Sequence, residues 1–513
     1  MAELTDRPFP PGSYPVIVVG SGPGGLQVSY SLRRLGIRHA VLSADDGPGG
    51  MFRRWPFFQR LLSWTKPYAP VDQSDRSYER YDWNSLIPDE PEHRALMTGF
   101  MDGSSYFPSR PEMEQNLTQF AIRTGIEVRY GCRWTSTRGV PSSAGDSFVL
   151  ETTDGDYSAG ILVFAVGIAD PQLPENPGIE FAASYGETRA AESYAGRRVF
   201  IIGKQNSGFE LASGLLQWAR GIVVASPSPA KLSVNTKSLV GVRARYLQPF
   251  EDHVLGGGVV VLDAAIQSIA RTSGGELDVK VRPTGGGDEL SFEVDEVIAA
   301  TGFVAPLGDL PALGVATFGR SGVPALTPYW ESASVPGIYF AGTLSQGAAG
   351  LKKNGLPSNS GAVHGARYNA RLLARHIARR LAETGAGTGT IPIEAIPIAP
   401  DGLADRLSGI LNSAPELWHQ RAYLARVISL DPAVGPRDEG VVPLAAFIDG
   451  AGDDGAGDAL ALTLESDGSG AIYPVVYRRR EGRFEEHAFE PDILLRYDSA
   501  EVRRRLGEIL RAP

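Results

Sequence analysis

Within its first 25 residues the chain carries a glycine turn that admits very few folds. Pro15 to Gly20 is a run of Val and Ile that reads as a buried parallel strand. Gly20-Ser21-Gly22-Pro23-Gly24-Gly25 follows directly, and a helix is expected over Gly24 to Leu35, closed by Gly36. A GxGxxG spacing between strand and helix gives each glycine a steric task. Gly20 permits the sharp turn, Gly22 lets a pyrophosphate approach the backbone, and Gly25 lets helix and strand pack closely. The unpaired N–H groups of the helix start, from Gly24 onward, then face the phosphates. A second strand, His39 to Ser43, completes a βαβ unit. Such a strand usually ends in an acid for a ribose hydroxyl; here it ends in Ser43, with Asp45 and Asp46 just beyond.

The pattern returns in mid-chain. Arg197 to Ile202 reads as a strand, Gly208 to Arg220 as a helix and Gly221 to Ala225 as the next strand. Between the first two lies Gly203-Lys204-Gln205-Asn206-Ser207-Gly208, the same turn with Gln205 in place of the middle glycine. A side chain therefore stands where a phosphate normally comes closest, and an intact but empty nucleotide unit is the competing interpretation. The strand after it ends in Ser226, with Ser228 and Lys231 nearby. Absence of an acid there removes repulsion against a 2′-phosphate, which favours NADPH, with NADH as the alternative. The fold class expected is α/β: two Rossmann-like, three-layer dinucleotide-binding domains, with the nicotinamide domain inserted in the other.

Composition narrows the classes. A chain of 513 residues, 42% hydrophobic and 21% charged, can bury two or three domain cores. A net charge of −10 argues against a nucleic-acid partner. No run approaches eighteen apolar residues, so no membrane span is expected, and Met1 to Ser13 lacks the apolar stretch of a signal peptide. Cys132 is the single cysteine. It excludes a redox-active cysteine pair within the chain and fits a reducing, cytoplasmic compartment. The seven histidines are scattered without HxH or HExxH, so no metal site is expected.

Two nucleotide-binding units in this order resemble flavoproteins reduced by a nicotinamide. Ala165-Val166-Gly167 and Ala300-Thr301-Gly302-Phe303 are similar to the motifs at which such chains leave and re-enter the flavin domain. Gly337-Ile338-Tyr339-Phe340-Ala341-Gly342 resembles the late flavin motif, and Gly49-Gly50-Met51-Phe52 the glycine-aromatic turn beside the flavin. Phe107-Pro108-Ser109-Arg110 is similar to a segment opening a helix in flavin-containing monooxygenases. Leu62-Ser63-Trp64-Thr65-Lys66 and Tyr81-Asp82-Trp83-Asn84-Ser85-Leu86 resemble a branch that includes FAD-dependent oxidoreductase-domain proteins. These matches span residues 15 to 380.

The resemblance implies FAD in residues 1–167 and 301–383 and NADPH in 168–300. It also implies a single-component monooxygenase that inserts one oxygen from O2 into a small molecule through a hydroperoxyflavin, N-hydroxylation slightly ahead. Val128, Gln346 and Ser360 are counted with the cofactor-binding residues. Relatives place an Asn near the flavin's reactive carbon, around Ser63 here, and that Asn is absent. The FxGxxxH segment that Baeyer–Villiger and flavin-containing monooxygenases carry before the second unit is missing too, since Phe181 to Thr188 has no histidine, and Baeyer–Villiger chemistry is the disfavoured branch. A flavin reductase or oxidase without oxygen transfer is the alternative, and an idle flavin-binding scaffold a third.

Other residues carry weaker signals. The irregular, aromatic-rich stretch Asp45 to Asn84 is of a length that is usually functional, and Lys66 within it is a candidate catalytic residue beside Ser63. Arg243, Arg245, Tyr246, Asp252 and His253 cluster in sequence; they suit an anionic substrate, closure over NADPH or a structural salt-bridge network, with His253 a poor candidate base. Pro111 to Thr124 is expected to be a helix capped by Ser109, Ile126 to Tyr130 a strand, and His364 to Leu381 a long helix. Leu351 to Gly365, dense in Gly, Ser and Asn, suits the flavin's pyrimidine edge or a substrate carboxylate. Thr384 to Thr390 is a linker by composition. Residues 391–513 form a separate α+β region with a hairpin about Asp467-Gly468-Ser469-Gly470, equally a cap over the active site or a homodimer surface.

Overall fold

A computed structural model of the chain describes residues 7–55, 60–140, 147–233, 241–348, 350, 357–383, 395–450 and 457–511. The Thr384 to Thr390 linker and residues 351–356 of the Gly/Ser/Asn-rich segment lie outside the described residues.

The first unit is a parallel sheet. Strand β1 (Val16–Val19) leads through the glycine turn into helix α1 (Pro23–Arg34), and β2 (His39–Leu42) returns beside β1. Strand β3 (Ile161–Phe164) pairs with the other edge of β1, and a late strand, Ile338–Phe340, with β3. All these strands are buried on both faces, which is why they read as continuous Val, Ile and Phe. The long helix Val363–Glu383 packs against α1 and shares this core.

Ile126 to Tyr130 departs from expectation. Only Arg129 pairs with β2: its N–H donates to the Val41 carbonyl (2.8 Å), and its carbonyl accepts from Ser43 N (3.0 Å). Arg129 is itself buried, with its guanidinium on Asp154 at 2.7 Å and on the carbonyls of Arg7 and Pro8. Those side-chain bonds hold the segment without a strand ladder.

The second unit repeats the design. Strand β4 (Arg198–Ile202), helix α2 (Asn206–Leu215) and strand β5 (Gly221–Ser226) form the βαβ core, with Val259–Arg271 and Glu296–Ala299 on either side, all parallel. An antiparallel extension, Leu277–Pro283 and Leu290–Val294, covers the edge. Helix α2 ends five residues before the expected Arg220, because the amides of Trp218 and Ala219 both turn back to the Leu215 carbonyl. The crossings between units run side by side: Asp170–Pro171 pairs antiparallel with Phe303–Val304.

The C-terminal region is a six-stranded antiparallel sheet. Its Ala459–Ser466 and Ile472–Arg480 strands form the expected hairpin. Helices Leu403–Ser413 and Ala500–Arg511 cover one face through Leu407, Leu411, Leu506 and Ile509. The region docks on the first unit through polar contacts. Glu416 takes an ion pair from Arg76 at 2.9 Å, the His419 ring donates to the Glu79 carbonyl at 2.7 Å, and Gln420 donates to Asn369 at 2.7 Å. Among the described residues no helix is long and apolar enough to cross a membrane.

Candidate cofactor and active site

One cavity of about 1470 Å³ runs through the first unit and under the C-terminal region, larger than the roughly 300–1,000 Å³ of most small-molecule sites. Its walls can be followed by contact. Ser43 at the end of β2 shares a hydrogen bond with Ser21 (2.8 Å), and both line the cavity beside Asp45. Gly22 comes next, its missing Cβ facing only the Gly50 Cα at 3.9 Å. Gly24 meets Gly342 so closely that a Cβ would lie 2.4 Å from the latter's Cα. Beyond Gly342 the wall continues through Gln346, Gly361 and His364.

This cradle fits a dinucleotide flavin. A Cβ at Gly20 would strike the Ala165 carbonyl at 2.5 Å, and one at Gly25 the Gly20 carbonyl at 1.9 Å, so strand, turn and helix meet at backbone distance. The helix-start N–H groups have no intrahelical acceptor and open on the cavity at Gly24. Gly25 itself packs behind the wall. Asp45 is held by Arg54 and lines the cavity with Ser43, whereas Asp46 pairs with Arg53 on the surface and does not.

At the other end Ser63, Trp83, Leu61, Leu62 and Leu86 come from the irregular stretch, and Gly50, Met51 and Phe52 from its start. The Ser63 hydroxyl donates to Asn84 Oδ1, and Asn84, fully buried, is fixed by Thr65 and Asp82. The Asn missing at position 63 thus stands one layer back, orienting the serine. His364 is 1% exposed, lines the cavity, packs tilted against Trp83 at 4.1 Å and has no hydrogen-bond partner at either ring nitrogen among the described residues. Burial, with Arg367, Arg421 and Arg243 around it, pushes its pKa well below the usual histidine value, so the ring is neutral.

The second glycine turn has the same backbone economy. A Cβ at Gly203 would meet the Ala300 carbonyl at 2.3 Å, and one at Gly208 the Gly203 carbonyl at 2.0 Å. Gln205 is exposed at the helix N-cap, and Ser207 follows it in the first turn. Asn206 is engaged: its amide donates to the Gly241 carbonyl (3.1 Å) and its oxygen accepts from Arg243 N (3.0 Å). On the neighbouring strand Asp263 stands in register with Ser226, and its charge is taken by buried Lys204. Of this unit, Ser233 and Arg243 reach the large cavity; Gly203 to Gly208 and Ser226 do not.

Several expected residues lie elsewhere. Lys66 points to solvent, because its neighbour Thr65 faces inward to Asp82 and successive extended residues alternate. His253 sits in the helix Gln248–Leu255, where its Nδ1 accepts from Val261 N at 3.2 Å and pins helix to strand. Val128 is in the core. Ser360 is a buried layer behind the wall, bonded to Asn369 and Gln420. Thr301 and Gly302 hold the crossover through Gln172, while Gly167 lines the cavity. Sequence reasoning missed Trp134, Arg367 and Arg421, which nothing local marks and which reach the site only by tertiary packing. His364 lies in the Leu351 to Gly365 segment expected at the site, and Ser466 and Gly470 come from the region read equally as a cap or a dimer surface.

Residues 17–342 match the sequence family described as Pyridine nucleotide-disulphide oxidoreductase. Mouse (Mus musculus) FAD-dependent oxidoreductase domain-containing protein 2 is 27% identical over 378 residues, covering 68% of this chain and 55% of that protein. The chain therefore spans about half the length of that relative, and the match to its Danio rerio counterpart covers 33% of the latter. The probable indole-3-pyruvate monooxygenase YUCCA4 of Arabidopsis thaliana is 24% identical over 395 residues, covering 67% of this chain and 87% of the relative. Among solved structures, bacillithiol disulfide reductase Bdr of Staphylococcus aureus superposes with a TM-score of 0.56 at 17% identity, covering 72% of this chain and 99% of that one. A flavin-containing monooxygenase from Stenotrophomonas maltophilia gives 0.52 at 21% identity over the same shares. At these identities the two structures speak for the fold alone.

Proposed function

This chain belongs to the pyridine nucleotide-disulphide oxidoreductase family, and from that premise we propose that it is an FAD-dependent, NADPH-consuming monooxygenase of a small molecule. FAD bound in the cradle would supply electron transfer from the nicotinamide and reaction with O2, chemistry that belongs to the cofactor. The protein's part is to hold and to enclose. Gly20 to Gly24 and the start of α1 grip the pyrophosphate, Ser43 and Asp45 the ribose, and Gly50 to Phe52 with Gln346 and Gly361 the far end.

The observation that carries the proposal is the cavity itself, which extends past the cradle into a space walled by Leu61, Leu62, Trp83 and Leu86 and roofed by Arg421, Ser466 and Gly470. An apolar wall such as Leu61, Leu62, Trp83 and Leu86 beside a flavin suits oxygen transfer, because water at the ring promotes wasteful breakdown. Disulfide chemistry has no cysteine pair to use. Cys132 donates to Thr152 (3.3 Å), and burial raises its thiol pKa. N-hydroxylation is favoured by charge: the described lining holds five arginines (Arg54, Arg133, Arg243, Arg367 and Arg421) against two acids, Asp45 and Asp170. An amine among guanidiniums is disfavoured as ammonium and is presented with its lone pair free.

The test is the fate of O2. With isotopically labelled O2, NADPH and a panel of amines and sulfides, label is expected in an organic product in proportion to NADPH consumed. Recovery of all reducing equivalents as hydrogen peroxide with every compound would replace this proposal with an oxidase.

A further inference from the structure

We propose that Arg243 and Arg421 form an anion-recognition site that seats a carboxylate of the substrate beside His364. The inference deepens the monooxygenase proposal and rests on it.

The two guanidiniums come from distant parts of the chain to the lining of one cavity, and the charges of both act on His364. Arg243 follows the second glycine unit, and its backbone N–H is pinned to Asn206 at 3.0 Å. Arg421 follows Gln420, whose amide is locked on Asn369 and Ser360. Both are half-buried, yet neither side chain makes an ion pair or hydrogen bond among the described residues. Residues 234–240 and 351–356, outside that set, contain no Asp or Glu. Burial lowers both pKa values, and for Arg243 the neighbouring Arg245 adds to it.

Other arginines at the site differ. Arg367 donates to the carbonyls of Ser85 (2.6 Å) and Glu79 (3.0 Å), Arg54 is paired with Asp45, and Arg245 donates to the carbonyls of Leu61 and Arg60. Those are structural. Arg243 and Arg421 are half-buried cations without a counter-charge or hydrogen-bond acceptor among the described residues, an arrangement that is costly unless a ligand completes it. The planar fork of a guanidinium matches a carboxylate in two parallel hydrogen bonds.

His364 is the second, independent pointer. It is a buried ring in the same cavity lining with neither nitrogen hydrogen-bonded among the described residues, held against Trp83 at 4.1 Å and backed by His419 at 5.2 Å. A buried polar group without a partner is costly. Neutral, it offers one N–H to an anion without adding charge. The cavity lining therefore holds two guanidinium forks and one ring donor for an acid, with Trp83, Leu61 and Leu62 among its apolar members.

An anion here has two sources, a substrate carboxylate or a phosphate of the nicotinamide nucleotide. Titration of the FAD-loaded protein separates them, read by perturbation of the flavin's visible spectrum. Benzoate is expected to saturate, and benzamide, its neutral counterpart, to give no saturable change over the same range. Arg421→Met and Arg243→Met are each expected to weaken benzoate by about tenfold or more, with Arg421→Lys intermediate, because it keeps charge and loses the fork. NADP+ binding, measured separately, should change less than twofold in Arg421→Met.

Equal response to benzoate and benzamide in the unaltered protein overturns the proposal, whatever the variants do. So does loss of NADP+ binding in Arg421→Met with benzoate binding intact, which assigns the arginines to the nucleotide. Because binding is read without turnover, benzoate saturation in a protein that makes only hydrogen peroxide would remove the monooxygenase proposal and leave the anion site standing.

Discussion

Gly24 is squeezed between backbones: a Cβ there would lie 2.4 Å from the Gly342 Cα and 2.5 Å from its nitrogen, and neither can swing away as a side chain would. Gly24→Ala is therefore expected to part the start of α1 from the Gly342 turn, at a cost of about 1–3 kcal/mol, and to purify with a clearly lower flavin-to-protein absorbance ratio. Full flavin content in that variant would show that the cavity does not take FAD across these two turns. Legibility at this scale followed how local each constraint is. Gly20, Gly22 and Gly25 could be assigned tasks from spacing because their constraints come from adjacent backbone. Lys66 and His253 could not be placed, since a polar residue's direction depends on which neighbour wins the buried face. Thr65 wins over Lys66, and Val261 N captures His253.

Among elements, the helix Arg110–Arg123 shows how far terminal chemistry reaches. Ser109 at its N-cap accepts from Glu112 N at 3.4 Å, while Glu112 accepts from Ser109 N at 2.5 Å, a reciprocal capping box. Ser109→Ala removes one half and is expected to cost about 1 kcal/mol, read as a lower urea midpoint at unchanged slope. An unchanged midpoint would mean that Glu112, also held by Arg60 and Asp102 N, carries the cap alone. The cap was legible from Ser, Pro and Glu in order. The absence of a strand at Ile126 to Tyr130 was not, because it reflects buried Arg129 reaching Asp154 far along the chain.

At the scale of the whole molecule, the C-terminal region is fastened by buried charge. Glu416 receives Arg76 at 2.9 Å and Arg426 at 3.5 Å. Burial alone would raise its carboxyl, yet Arg76 first, then Arg426 and Arg371, outweigh it and hold the pKa below the ordinary 4.5. A carboxyl lowered in the folded state contributes stability that is present above its unfolded pKa and is lost as pH falls through the folded one. Glu416→Gln is expected to lose about 3 kcal/mol near neutral pH, and the gap to the unaltered protein should close as pH drops below 4.5. A gap independent of pH would assign the loss to packing. Detaching this region should also open the roof made by Arg421, Ser466 and Gly470, so weaker benzoate binding is expected alongside.

The sequence by itself determined the two strand–glycine turn–helix units and the order in which the chain visits them, because turns closed at backbone distance tolerate only glycine and betray themselves locally. It also determined that no cysteine pair exists for disulfide exchange. Only the tertiary structure decided that residues beyond the linker line the cavity and that Arg421, Arg243 and His364 all belong to its lining. Asn84 standing behind Ser63 was settled at the same level. Those juxtapositions are made by packing between distant segments, whose energy is spread over many contacts and leaves no periodicity or spacing to read.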